Sequence, residues 1–265
     1  MRKPPRISVI TPSFNQGKFI ERTIKSVIGQ GYPDLEYIVV DGGSTDETIS
    51  ILKKYEKNLR WISEKDRGQS DAINKGIRMS TGDIIAYLNS DDMYEPGTLG
   101  HVAGFFTAHP SVMWLSGRCR IVDEREREFR RFITRYKNFL LARYSYSILL
   151  VTNFICQPAT FLRRDVIEDF GVFDVNQHRV MDYDYWLRIG KTHTPGIINE
   201  NLAMFRVYSE SKTSSGFTDT FREEFEVCKK HSRSTVLRSL HYLSCKGICG
   251  AYWVLDLISN FGHKR

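Results

Sequence analysis

The sequence predicts an α/β fold built on a mostly parallel sheet, because an apolar strand, a polar loop and a helical segment recur along its N-terminal part. The predicted strands cover residues 7–11, 35–40, 59–62 and 84–86. Apolar residues spaced three and four apart predict helices over residues 19–28, 48–52 and 72–79. Crossover connections between parallel strands place all the polar loops on one edge of the sheet. We therefore expect a ligand site at that edge.

The first two loops differ in their chemistry. The first strand breaks at Pro12, and a polar run over residues 13–17 leads into the first helix. The second strand is followed by Asp41 and then by Gly-Gly-Ser-Thr-Asp. Adjacent glycines let the backbone turn tightly and pass close to a ligand. Both loops are therefore candidates for ligand contact.

Two adjacent carboxylates, Asp91 and Asp92, follow the fourth strand within the sequence Tyr-Leu-Asn-Ser-Asp-Asp. Carboxylates at such a position suggest a site for a hard cation and a phosphate. Neighbouring residues of an extended chain point to opposite sides, so one acid is expected to hold a cation and the other a sugar hydroxyl or a water beside the cation. The alternative is an ordinary surface turn, which Asp-Asp also favours.

Six segments carry a resemblance to a known family. In chain order they are TPSFN, VVDGGSTD, EKDRGQSDAINKG, YLNSDD, QPATFLRR and MDYDYWLR. With this order and spacing, roughly residues 6–213 resemble glycosyltransferase family 2, the inverting enzymes of the GT-A fold that use nucleotide-sugar donors. The resemblance implies a GT-A-type, Rossmann-like sheet with flanking helices over residues 1–215. Residues 216–265 are then expected to form a C-terminal helical tail.

The resemblance also implies a metal and a nucleotide site. Asp92 is expected to bind Mg²⁺ or Mn²⁺ directly, with Asp91 on the ribose or beside the metal. The donor base is expected at five residues of the first two loops, namely Thr11, Pro12, Ser13, Phe14 and Asp41. As an acceptor, Asp41 favours a base with a ring N–H, and hence a UDP- or GDP-sugar. Phe14 is either a stacking surface or a core residue, and the core interpretation is favoured.

The third loop is rich in charge. Because it lies at the same sheet edge, Arg67 is expected to be a cation on the donor side, with Asp66 and Gln69 on ribose or sugar hydroxyls. The alternative is a solvated cluster of charges, the commonest fate of such runs. Further along the chain, Arg206 and Lys212 are candidates to hold the diphosphate as it leaves. Tyr208 stands where relatives often carry a histidine.

Inverting transfer needs a base for the proton of the acceptor hydroxyl. In relatives the acid corresponding to Asp182 usually serves, often preceded by a glutamate where this chain has Met181. Asp184 is the reserve candidate for the base. Either acid is alternatively an N-cap of a helix expected to begin near Trp186.

The composition of the chain indicates which partners and which compartment to expect. The chain has 265 residues, 41% of them hydrophobic and 26% charged, with a net charge of +7. These values fit a folded enzyme that meets phosphates or anionic lipids. No helix-turn-helix, ribonucleoprotein or zinc-finger pattern is present, so no nucleic-acid partner is expected. The five scattered cysteines and the lack of a signal-peptide pattern predict a cytoplasmic protein.

The tail combines basic residues with an apolar stretch around Trp253 and Leu255. This pattern predicts peripheral contact with the inner face of a membrane, and the favoured alternative is a helix docked on the domain or on a second subunit. His241, Cys245 and Cys249 would share one helix face. Packing is favoured there over a metal site, which would lack a fourth ligand.

Taken together, the residues and the family that they resemble predict a metal-dependent inverting glycosyltransferase. The expected acceptor is a hydroxyl of a glycan or of a lipid-linked molecule, in the synthesis of a cell-surface polysaccharide. A sugar nucleotidyltransferase is a rival enzyme, but it should carry a glycine-rich phosphate loop near its N-terminus. A catalytically inactive subunit that binds a nucleotide or a carbohydrate is the rival from another class.

Overall fold

A mixed eight-stranded sheet forms the centre of the computed structural model, which describes residues 3–209, 211 and 217–262. The strands are β1 Ile7–Ser13, β2 Leu35–Asp41, β3 Arg60–Ser63, β4 Ile84–Tyr87, β5 Met93–Tyr94, β6 Trp114–Val122, β7 Thr160–Arg163 and β8 Gly196–Arg206. Their order across the sheet is β3-β2-β1-β4-β7-β6-β8-β5.

Helices cover both faces of this sheet. They are α1 Ile20–Ile28, α2 Thr48–Lys54, α3 Gln69–Met79, α4 Thr98–Ala108, α5 Arg131–Leu141, α6 Tyr146–Val151, α7 Arg164–Phe170, α8 Met181–Gly190, α9 Phe217–His231 and α10 Thr235–Gly262. A short 3₁₀ turn, Gln157–Ala159, precedes β7. The predicted α/β fold class is confirmed.

The direction of strand pairing changes at β4, from parallel to mixed. Strands β1 to β4 pair in parallel, as the recurring strand-loop-helix pattern predicts. Beyond β4, β7 runs antiparallel to both β4 and β6, and β8 returns parallel to β6. The parallel half therefore has its loops on one edge, and the mixed half extends the sheet beside it.

Pro12 does not end β1, contrary to the prediction. It pairs in register with Val40, and the strand continues to Ser13. The pairing of β1 with β4 stops at Ile10, so β1 pairs only with β2 at Pro12. A missing N–H is tolerated at a position that is paired on one side alone.

The first part of α10 packs on the rest of the protein, against α6 and α9. His241 is fully buried, and its Nδ1 lies 2.9 Å from the carbonyl oxygen of Leu150. Cys245 Sγ lies 3.3 Å from Nε2 of the same ring. The ring therefore has a partner at each nitrogen, which fits the packing interpretation of this cluster. Among the described helices, none is long and apolar enough to span a bilayer.

Candidate functional site

The carboxyl ends of the parallel strands form the floor of the candidate site. Ser13, Asp41 and Ser63 end β1, β2 and β3, and they lie in register across the sheet. Asp41 is fully buried. One of its carboxylate oxygens accepts hydrogen bonds from the backbone N–H of Gly43 at 3.0 Å and of Ser44 at 2.8 Å, and from Ser63 Oγ at 2.7 Å. In this state Asp41 orders the second loop.

The first loop is tied to the second. The backbone N–H of Asn15 donates to Ser44 Oγ at 2.7 Å, and Asn15 Oδ1 accepts from the backbone N–H of Thr45 at 2.9 Å. Asp46 accepts from the backbone N–H of Gly17 at 2.8 Å. Because three hydrogen bonds join them, the two loops form one surface.

Phe14 lies at the mouth of this surface and is 60% exposed, so the core interpretation of this residue is wrong. The preceding residues Thr11, Pro12 and Ser13 are buried. Ser13 Oγ has no hydrogen-bond partner among the described residues. A Cβ atom on Gly42 would lie 3.3 Å from the Phe14 ring and 2.8 Å from Asp66 Oδ2. The aromatic ring and the carboxylate therefore flank a bare stretch of backbone.

The contacts of the third loop bear on both of its interpretations, the solvated charge cluster and the donor site. Arg67 is exposed and pairs with Asp71 at 3.2 Å, as in a solvated charge cluster. Arg67 and Gln69 also line a cavity of about 250 Å³, together with His178 and other residues. Gln69 Nε2 donates to Asn89 Oδ1 at 2.6 Å and so connects this loop to the loop that follows β4.

The two adjacent acids occupy different environments. Asp92 is fully buried, and its carboxylate accepts from the Arg206 backbone N–H at 2.9 Å and from Asn89 Nδ2 at 3.1 Å. Burial, and next the neighbouring charge of Asp91, raise the pKa of Asp92 well above its usual range. Asp91 is half-buried and lies beside the phenol of Tyr208. Asp91 is therefore the more exposed of the two carboxylates, although Asp92 is the one expected to bind the metal.

Arg206 is a structural residue, which contradicts its expected role as a clamp for diphosphate. It is 1% exposed, and its guanidinium donates to the carbonyl oxygens of Asp91 at 2.8 Å, Asp123 at 3.2 Å and Glu124 at 3.0 Å. It therefore fixes the loop of the two acids to the turn after β6. Lys212, the other candidate for this role, lies outside the described residues.

Asp184 is likewise structural. It is fully buried and bonded to Arg188 at 2.7 Å, Lys230 at 3.0 Å and His231 at 2.9 Å. Burial alone would raise its pKa, but these hydrogen bonds, that of His231 first, bring it well below the usual range. Asp184 does not cap a helix either, because α8 begins at Met181 rather than near Trp186. Its carboxylate instead joins α8 to α9.

Asp182 differs from Asp184 in its burial and in the direction of its pKa shift. It is half-buried, and burial raises the pKa of its carboxyl group despite a hydrogen bond from the Tyr183 backbone N–H at 2.8 Å. The charges of Asp182 and Asp92 both act on the hydroxyl of Tyr87 at the end of β4. Asp182 therefore belongs to the same site as the two adjacent acids.

Two charged residues that the motifs do not contain join this site. Lys137 of α5 lowers the pKa of Asp182, and Glu224 of α9 lies close to both. Burial, together with the charge of Asp182, raises the pKa of Glu224 to about 7 against the effect of Lys137 and of a hydrogen bond with Asn153. Both residues lie on helices remote in sequence from every motif, so no local pattern marks them.

Gln157 links the motif QPATFLRR to the site. Its Nε2 donates to the carbonyl oxygen of Tyr87 at 2.6 Å, and its Oε1 accepts from Asn89 Nδ2 at 3.3 Å. Asn89 thus bonds to Gln69, Asp92 and Gln157 at once. A site in which acids and amide side chains converge suits a polar ligand.

Comparison with known proteins shows the family of the chain. The model of the family described as "Glycosyl transferase family 2" matches residues 8–171. A PGL/p-HBAD biosynthesis glycosyltransferase of Mycobacterium bovis is 31% identical over 190 residues, which are 69% of each chain. An uncharacterised glycosyltransferase of Nostoc sp. is 27% identical over 231 residues, which are 83% of this chain and 70% of the relative.

Solved structures share the fold. The mannosyltransferase PcManGT of Pyrobaculum calidifontis, in complex with GDP-Man and Mn²⁺, matches with a TM-score of 0.67 and 18% identity, over 98% of this chain and 80% of the other. A fragment of TarS from S. aureus in complex with UDP-GlcNAc matches with a TM-score of 0.66 and 19% identity. That match covers 84% of this chain and 65% of the TarS fragment, just under two thirds of its length.

Proposed function

The chain belongs to glycosyltransferase family 2, and from this premise we propose that it is a metal-dependent inverting enzyme that moves a sugar from a UDP- or GDP-sugar to a hydroxyl of a glycan or lipid-linked acceptor. The observation that carries the proposal is that Asp182 and Asp92, the neighbour of Asp91 in the chain, both act electrostatically on the hydroxyl of Tyr87 at the end of β4. Asp91 is half-buried, and burial raises the pKa of Asp182. The two carboxylates suit a cation and a general base respectively.

The donor is assigned to the surface formed by the first two loops. Phe14, exposed beside Gly42, offers a face on which the base stacks. Asp41 favours a base with a ring N–H, and its present bonds to the loop backbone would be exchanged on binding. Asp66, on the other side of Gly42, is placed for ribose or sugar hydroxyls.

The side chains present fit a hard divalent cation. Such ions take oxygen ligands, and one protein carboxylate with phosphate oxygens and waters satisfies Mg²⁺ or Mn²⁺. Asp91 would supply that carboxylate, while buried Asp92 would hold the loop through Asn89 and the Arg206 backbone. When bound, the cation would neutralise charge on the diphosphate leaving group.

The proposed chemical step is a single displacement. The acceptor oxygen forms a bond to C1 of the sugar as the bond from C1 to the diphosphate oxygen breaks, and the electron pair of that bond leaves with the diphosphate. Asp182 takes the proton of the acceptor hydroxyl. A carboxylate whose pKa is raised accepts this proton more readily than an ordinary one. Lys137 restrains that rise, because its positive charge favours the ionised carboxylate.

The donor site is tested by calorimetry with UDP, GDP and ADP, with and without Mn²⁺. We expect UDP or GDP to bind more tightly than ADP, with Mn²⁺ strengthening the binding. Asp91→Asn should remove the effect of Mn²⁺. Asp169→Asn, which changes an exposed acid on α7, is the matched control and should retain it. Loss of the Mn²⁺ effect in Asp92→Asn but not in Asp91→Asn would restore Asp92 as the direct ligand.

Transfer itself is tested by the products. Release of a nucleoside diphosphate from a nucleotide sugar supports the proposal. Formation of a nucleotide sugar from a nucleoside triphosphate and a sugar phosphate would identify a nucleotidyltransferase instead. Tight nucleotide binding without either reaction would identify an inactive binding subunit.

A further inference from the structure

Helix α5 exposes three aromatic side chains to solvent. Phe132 is 79% exposed, Tyr136 43% and Phe139 54%. Their spacing of four and three residues places them within an arc of about 60° on the helix surface, since successive residues are about 100° apart. Large exposed aromatics grouped on one face mark an interaction surface.

Basic residues border this aromatic face along one edge and at its C-terminal end. Arg131 and Arg135 lie along one edge, both exposed. At the end of the helix the Arg143 guanidinium lies 4.0 Å from the centre of the Phe139 ring. The segment 125–143 contains seven arginines and lysines but only two glutamates. The face is therefore apolar at its centre and cationic along one edge and at one end.

We propose that this face of α5 binds an anionic membrane surface. Aromatic side chains that enter the region of the lipid headgroups, flanked by cations that attract anionic lipids, are the pattern of an interfacial helix. A second copy of the protein is a poorer occupant, because two cationic edges would repel each other. A bilayer supplies both an apolar layer and negative charge.

The opposite face of α5 lines a cavity of about 90 Å³. Ile133, Thr134, Lys137, Asn138 and Leu141 lie there, about half a helical turn away from the aromatic face. Lys137 acts electrostatically on Asp182. One helix therefore connects the membrane surface to the acceptor side of the site. This step rests on the proposed function, and it makes a hydroxyl of a lipid-linked molecule the acceptor.

Vesicle flotation tests the membrane surface. We expect the full-length protein to float with phosphatidylcholine vesicles that contain phosphatidylglycerol, and not with phosphatidylcholine alone. The double variant Phe132→Ser/Phe139→Ser should bind the anionic vesicles at least about tenfold more weakly, because its aromatic anchors are lost. Arg131→Glu/Arg135→Glu should lose binding as well. Lys53→Glu/Lys57→Glu on and after α2 changes the net charge equally, and it should still float.

Each outcome of these measurements supports or overturns the proposal that α5 binds an anionic membrane. Equal binding by wild type and both α5 variants would assign vesicle contact to another surface, such as Val236, Leu240 and Leu243 of α10, and would overturn the proposal. Absence of wild-type binding would overturn it too. So would a dimer in solution that dissociates in the serine variant without any vesicle binding. Unchanged nucleoside diphosphate release by the α5 variants would separate this surface from the chemistry, and flotation can succeed whether or not the proposed transfer does.

Discussion

Asp182 and Asp184 are separated by a single residue, but the fold gives them opposite properties. Asp184 is fully buried among Arg188, Lys230 and His231, which keep it ionised. Asp182 is only half-buried, and its pKa is raised by burial. Both are acids in the first turn of α8, and only the resemblance to a family ranks Asp182 ahead of Asp184 as the base. The partners that distinguish them come largely from α9, 46 and 47 residues away along the chain.

This difference predicts opposite effects of the same substitution. Asp182→Asn should lower turnover by about 10²–10⁴-fold while donor affinity holds, because the variant cannot accept the proton. Asp184→Asn should leave the turnover of folded protein near normal. It should cost about 3–5 kcal/mol of unfolding free energy, because basic groups remain around a lost buried charge. Turnover and urea unfolding of both variants measure this. The reverse pattern would make Asp184 the base.

The motifs identify most of the residues at the site but not their roles. Asp91, Asp92 and Asp182 are all recognisable from the sequence, because they follow strands or precede an aromatic run. Arg206 has the charge of a phosphate ligand, but backbone carbonyl oxygens of distant turns take its donors. Burial and long-range partners decide such roles, and no local pattern records them.

At the level of elements, the parallel half of the sheet is predicted well, because each of its first three strands is followed by a helix with clear periodicity. The mixed half is not. β5 has two residues and β7 four, and their partners are distant or antiparallel strands. Such short strands are held by their neighbours and carry little periodic signal of their own.

Helix α3 shows how closely the helices of the parallel half pack on the sheet. Gly76 allows α3 to approach β1. A Cβ atom there would lie 2.4 Å from Ile10 Cγ2. Gly76→Ala should therefore lower the unfolding free energy by about 1–3 kcal/mol through overpacking. Gly100→Ala on α4, where no atom lies within 4 Å, should raise it by about 0.5–1 kcal/mol. Urea unfolding of both variants tests this contrast. Equal effects at the two glycines would show that α3 can move away from β1 without loss.

At the level of the whole molecule, α9 couples the site to global stability. Through Asp184 it anchors α8, and through Glu224 it brings a second carboxyl group near Asp182. The two acids have opposite pKa shifts, downward for Asp184 and upward for Glu224. The free energy of unfolding should therefore fall at low pH because of Asp184. It should also fall as the pH rises from about 4 to about 7 because of Glu224.

On the acid side, Asp184 binds its proton less tightly in the folded protein than in the unfolded chain, where its pKa is about 3.9. Its stabilising contribution is therefore present above that value and is lost as the pH falls below it. Glu224 has a folded pKa of about 7 and an unfolded value of about 4.3. Between these values the unfolded chain binds fewer protons, so stability falls as the pH rises.

We therefore expect Glu224→Gln to match the wild type below about pH 4, where the wild-type carboxyl group is protonated in both states. Above about pH 7 the variant should melt at a higher temperature, because no buried charge has to form beside Asp182. Glu56→Gln, which removes an exposed charge after α2, is the matched control and should follow the wild type throughout. Melting temperatures across the pH range measure the effect. If Glu224→Gln followed the wild-type curve at every pH, the carboxyl group of Glu224 would be solvated, and α9 would not couple the site to stability through it.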